Sequence, residues 1–231
     1  MTTTTPSIRD RIAALDWAPM TKDLDSFGCT IVKSVLTREE CRSLAALYQR
    51  DDIFRSTIVM ARHGFGRGEY KYWSYPLPEI VAGLRSALYP PLAAVANRWN
   101  QSMKVDVRYP ETHEEYLERC HAASQTRPTP LLLSYNESDW NALHQDVYGQ
   151  NVFPIQVAFL LSEPGKDFTG GEFVLTTTAN NQGSDEFIPV RAHPEPAAVR
   201  WDRQLLWSHS DAPRCAGLSR SSAHHDPLEK R

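Results

Sequence analysis

Hydrophobic and polar positions follow two rhythms along this chain, and the change falls near residue 128. The first part runs mostly at helical spacing. Ile8, Ile12 and Leu15 fall on one face of a short helix that Ser7 can cap. Phe27-Gly-Cys-Thr-Ile-Val32 predicts a first strand. Thr37-Arg-Glu-Glu40 spells a capping box with Leu36 as its staple, and the helix behind it turns Leu44 and Leu47 inward. Residues 55–75 predict a pair of strands around a mobile turn containing Gly64, Gly66 and Gly68. The aromatics there read as core and the bases as solvent-facing. The functional alternative puts Arg62, His63, Tyr70 and Tyr72 at a pocket mouth.

Pro78 suits the first turn of a helix, and Ile80, Val81, Leu84 and Leu88 follow at helical spacing. Pro90-Pro91 predicts an interruption, after which Leu92, Val95 and Trp99 resume the pattern. Thr112-His-Glu-Glu115 is a second capping box, with His113 and His121 expected on the helix surface. Residues 125–130 form a Pro-bearing linker. The rhythm then becomes that of strands. Leu131–Tyr135 and Phe153–Ser162 are apolar runs, Pro164-Gly165 turns the chain, and Thr169-Gly-Gly-Glu-Phe-Val-Leu175 opens another strand.

Composition narrows the class. A 231-residue chain with 41% hydrophobic and 23% charged residues fits one globular domain. The net charge of -3 gives no electrostatic reason to expect nucleic acid as a partner. Cys29, Cys41, Cys120 and Cys215 form no metal spacing and read as reduced thiols. The start carries no apolar leader and no run is long enough to span a bilayer, so a cytoplasmic protein without membrane contact is expected.

The candidate chemistry lies between the first two of these strands. His144 and Asp146 are two apart in a run that reads as β, so an imidazole and a carboxylate can share a face. With one distant histidine they would make a 2-His-1-carboxylate triad, which holds Fe(II) and leaves positions open for substrate and oxygen. His193, His209, His224 and His225 are candidates for the third ligand. His209 ends a short apolar strand, Arg203–His209, whereas His193 lies in a Pro-rich stretch.

The order Tyr135, His144-x-Asp146, an apolar strand, then Gly170-Gly171-Glu172-Phe173 resembles the prolyl-hydroxylase-like branch of the 2-oxoglutarate/Fe(II)-dependent dioxygenases. The resemblance is strongest over residues 128–176 and reaches back to Met60–Gly66 and Ala87–Ala93. It implies an α+β fold: a double-stranded β-helix (jelly-roll, cupin-like) core over 128–231, with helices of the 1–127 part packed on one face. It implies Fe(II) on His144, Asp146 and His209, 2-oxoglutarate as cosubstrate, and ascorbate as a candidate reductant. Tyr135 would hydrogen-bond the cosubstrate. A basic residue about ten positions past the distal histidine would take its far carboxylate through a bidentate fork. Arg220 is the candidate, one residue out of phase at eleven past His209, a slip that turns a strand side chain to the other face unless a bulge corrects it. The implied reaction is hydroxylation of a small-molecule or peptidyl substrate, such as a prolyl or other amino-acid side chain, with succinate and CO2 released.

Two other residues carry both readings. Gln156 either orders a metal ligand from inside the barrel or faces solvent, and Glu172 reads as structural. From about Thr177 the resemblance and the strand periodicity stop together. That tail reads as diverged, or as the product of a changed reading frame, and as lacking a last core strand. The competing function is therefore a β-helix binding domain with an incomplete metal site. A hydrolase using His144 and Asp146 has no nucleophile motif to support it.

Overall fold

The structure, a computed structural model, describes residues 5–144, 149–171, 173–177, 186–190 and 203–207. The helices begin where their caps predict. Ser7 caps α1 (Ile8–Ala13), Thr37 caps α3 (Arg38–Ala46) and Thr112 caps α5 (His113–Ala122), the last two with complete capping boxes. Between α1 and α3 the chain departs from expectation. Asp16 caps a further helix, α2 (Trp17–Phe27), and Gly28 ends it at φ 71° with its N–H on the Leu24 carbonyl. The predicted strand Phe27–Val32 is thus a helix end followed by irregular chain. A left-handed glycine after a capped amphipathic turn stops a helix more strongly than one β-branched pair starts a strand.

The Pro90-Pro91 interruption does not occur either. Helix α4 (Glu79–Ser102) runs through both prolines. Leu84, Leu88, Tyr89, Leu92, Ala93, Val95 and Ala96 are buried on both sides of the pair. That burial outweighs the lost hydrogen bonds and the ring clash. His113, expected at the surface, is 5% exposed and lies 5.6 Å from the Tyr89 ring, because the first residue of α5 faces α4.

Among the described residues nine strands follow in chain order: β1 (Phe54–Val59), β2 (Gly66–Arg67), β3 (Glu69–Trp73), β4 (Leu131–Ser134), β5 (Trp140–Asn141), β6 (Val157–Leu160), β7 (Phe173–Thr177), β8 (Glu186–Val190) and β9 (Arg203–Trp207). Five form an antiparallel sheet in the order β1-β3-β4-β9-β6. The others form two ribbons, β2-β5 and β7-β8. The sheet's two faces follow the period-2 alternation. Trp73 and Leu132 join the helices in the main core, while Leu133 and Tyr135 join Met60 in a second cluster.

The α+β class is as expected, with helices packed on one sheet face. Among the described residues, however, the strands do not close a barrel. β1 and β6 are edges and β7-β8 does not pair with the large sheet, so these strands show the α+β class and not the jelly roll itself. The tail also differs from expectation. The stretch after Thr176 supplies β8, where Pro189 is tolerated in a two-stranded ribbon. It also supplies β9, which lies between β4 and β6 in the sheet's interior. Cys29, Cys41 and Cys120 are free thiols. No described helix is long and apolar enough to cross a membrane.

Candidate functional site

Tyr135 follows β4 and packs on the sheet face away from the helices. Its ring lies so close to Gly68 that a Cβ there would meet Cδ1 at 2.8 Å and Cε1 at 3.0 Å. Gly68 also has φ 128°, so the position suits glycine on both counts. Burial pushes the Tyr135 hydroxyl above its ordinary range, opposed by a side-chain hydrogen bond with Asn141. The hydroxyl therefore stays protonated at neutral pH.

The chain then turns at Asn136, whose N–H donates to the Asp139 carboxylate at 2.7 Å, and Ser138 is left-handed at φ 66°. It returns as β5 against β2, with Gly66 opposite Asn141 and Arg67 opposite Trp140. A side chain at Gly66 would collide with the Trp140 carbonyl oxygen, so the ribbon's close approach needs glycine there. The Ala142 N–H donates to the Phe65 carbonyl at 2.8 Å, which extends the tie by one residue.

His144 comes next, exposed and outside any strand. Strand alternation therefore does not orient it, contrary to expectation. Instead its Nδ1 lies 2.7 Å from the Ala142 carbonyl oxygen. A carbonyl can only accept, so Nδ1 carries a proton and donates to it. Metal-binding histidines commonly donate their other ring N–H to a backbone carbonyl in this way.

The far side of this loop is held separately. The Gln125 amide accepts from the Asn151 N–H at 2.8 Å and donates to the Asn151 carbonyl at 3.2 Å. The Tyr109 hydroxyl donates to the Val152 carbonyl at 2.7 Å. Phe153 is then buried among Tyr89, Tyr109 and Tyr116, with ring centroids 5.0 to 5.8 Å away. Sequence reasoning missed Gln125 and Asn141; neither carries a motif, and their partners lie on other elements.

Of the predicted site residues, His144 and Tyr135 flank β5, whereas Asp146, His209, Arg220 and Glu172 lie outside the described residues. β9 ends at Trp207 opposite Val157, at the sheet end away from Tyr135. Gln156 is exposed. Arg62 is exposed in a turn, His63 stacks on Phe65 at 5.4 Å, and Tyr70 meets Tyr72 edge-on at 5.5 Å. Among the described residues no three His, Cys, Asp or Glu side chains cluster as a metal site would require. The part of the predicted triad that is described, His144, has the donor chemistry that Fe(II) needs.

Residues 68–193, more than half of the chain, match the Oxygenase-NA family, described as "Oxygenase, catalysing oxidative methylation of damaged DNA". The chain belongs to this family. It is thus a member of an oxygenase family. The match starts at the glycine that touches Tyr135 and runs past Thr177, beyond the point where the sequence pattern fades. Two uncharacterised proteins of Mycobacterium tuberculosis, from strains CDC 1551 / Oshkosh and H37Rv, are each 48% identical over 100 residues. That stretch is 43% of this chain and 43% of each relative, so it spans less than half of the curated relatives' length. No solved structure matches the chain.

Proposed function

We propose that the protein is an Fe(II)- and 2-oxoglutarate-dependent dioxygenase that oxidises a damaged base in DNA. The observation that carries this reading is His144, whose Nδ1 is held on the Ala142 carbonyl beside the β2-β5 ribbon, inside the family match. His144, Asp146 and His209 would hold the iron, and Arg220 would receive the far carboxylate of the cosubstrate. Bound iron would supply the oxygen activation that side chains lack. The chain's own residues supply position and protons. His144 would supply an imidazole ligand, and Tyr135, protonated at neutral pH, can donate a hydrogen bond. The β2-β5 ribbon and the Gln125 clamp anchor the loop at both ends.

The DNA substrate rests on the family's description. A prolyl or other amino-acid side chain, suggested by the sequence resemblance, is the competing substrate, and ascorbate remains the proposed reductant. Anaerobic titration with Fe(II) and then 2-oxoglutarate should give a visible metal-to-ligand charge-transfer band. His144→Ala and Asp146→Ala should abolish it, together with substrate-linked succinate formation. A folded wild-type protein with no band, or either variant retaining the band unchanged, overturns the reading. Succinate release driven by a methylated oligonucleotide, set against release driven by a prolyl peptide, decides the substrate.

A further inference from the structure

We infer that Trp140 and Arg67 form a clamp that stacks an unpaired base of single-stranded DNA beside His144. The inference rests on the oxygenase reading above and assigns the residues that present the strand to that site. It starts from the ribbon's register. Arg67 lies directly opposite Trp140, and Gly66 opposite Asn141. Opposed residues share a face and successive residues alternate. Trp140 and Arg67 therefore share one face of the ribbon.

Both are open to solvent, Trp140 at 55% and the Arg67 side chain at 63%. Leu143, beside His144, is 66% exposed. An indole that served only packing would be buried. The backbone beneath this one is held rigidly by the Gly66 approach and the Ala142–Phe65 hydrogen bond. Arg67 is also oriented: its Nε is 3.8 Å from the Asp139 carboxylate, which is 11% exposed and capped by the Asn136 N–H. That leaves a solvent-open guanidinium on the ribbon face that also carries the open indole.

The pair matches single-stranded nucleic acid. The indole offers a sequence-tolerant stacking surface, and the guanidinium meets a phosphate or adds cation–π attraction. An enzyme acting on a base needs it out of the duplex stack, so a platform four residues from His144 has a place in that chemistry. A peptide strand would call for a long open sheet edge, and β5 is two residues long and already paired.

The test uses the full chain and a short fluorescein-labelled single-stranded oligodeoxynucleotide carrying methylated bases, followed by fluorescence anisotropy. Trp140→Ala should weaken binding roughly tenfold or more, whereas Trp140→Phe, which keeps a stacking face, should stay close to wild type. Arg67→Ala should weaken binding and reduce the salt dependence by roughly one phosphate contact. No binding by wild-type protein, a Trp140→Ala affinity equal to wild type, or equal losses in the Ala and Phe variants overturns the inference. So does Trp140-dependent binding of a prolyl peptide in place of DNA. The charge-transfer titration separates the two claims. A band without Trp140-dependent DNA binding overturns the clamp alone, and a missing band overturns the oxygenase reading.

Discussion

The helix wall and the loop carrying His144 are held by opposite means. Helices α4 and α5 pack Tyr89, Tyr116 and Cys120 to near-complete burial, with Phe153 wedged between them. Their stability comes from apolar area removed from water. Residues 136–144 and 149–152 bury little and are tied by individual hydrogen bonds: Asn136 to Asp139, Ala142 to Phe65, and Gln125 to Asn151. Each such bond contributes little alone. Together they hold the two ends of a loop that needs no apolar core. The lesson is that the candidate chemistry lies where hydrophobic periodicity is weakest, on connections carried by a rigid scaffold.

The comparison can be broken first at the residue that joins the two regions. Phe153 is 1% exposed, so Phe153→Ala should cost about 3–5 kcal/mol in a urea melt and weaken cosubstrate binding with it. Unchanged stability would mean that the aromatic wall does not support the loop.

A pH experiment sharpens the helical side alone. Arg11 donates two hydrogen bonds to Glu40, at 2.7 and 2.6 Å, across α1 and α3. Those bonds, with help from Thr37, lower the Glu40 carboxyl from its ordinary 4.5 to about 2 against the opposing effect of burial. The folded value is below the unfolded one. The contribution is therefore full above about pH 4.5 and is lost as pH falls through about 2. Glu40→Gln should lose roughly 1–2 kcal/mol at neutral pH and converge on wild type near that lower limit. A constant difference across the acid range would rule out the linkage.

The smallest global effect should come from the loop's own clamp. Gln125→Ala should cost about 1 kcal/mol in overall stability. It should nevertheless raise hydrogen exchange at Asn151 and weaken the Fe(II)/2-oxoglutarate charge-transfer signal disproportionately. Exchange at Asn151 that matches wild type would show that the loop is held by something else.

Local patterns settled much of this protein in advance. Ser7, Thr37 and Thr112 start helices because a side-chain oxygen and a backbone N–H a few residues on can meet without any distant partner. Leu131–Ser134 and Phe173–Thr177 read as strands because their composition suits a pleated surface. His144, Asp146 and Tyr135 were legible as candidates from residue type and order. What remained hidden depended on contacts distant in sequence. Burial on both sides of Pro90-Pro91 carries α4 through them. A facing helix buries His113. β9 gains its interior place only by lying between β4 and β6. His144 is oriented by a loop carbonyl where strand alternation had been expected to orient it. Propensity and capping act over a few residues, so sequence alone can specify them. Burial, sheet order and the orientation of an exposed imidazole are decided when distant segments meet, and only the tertiary structure decides them.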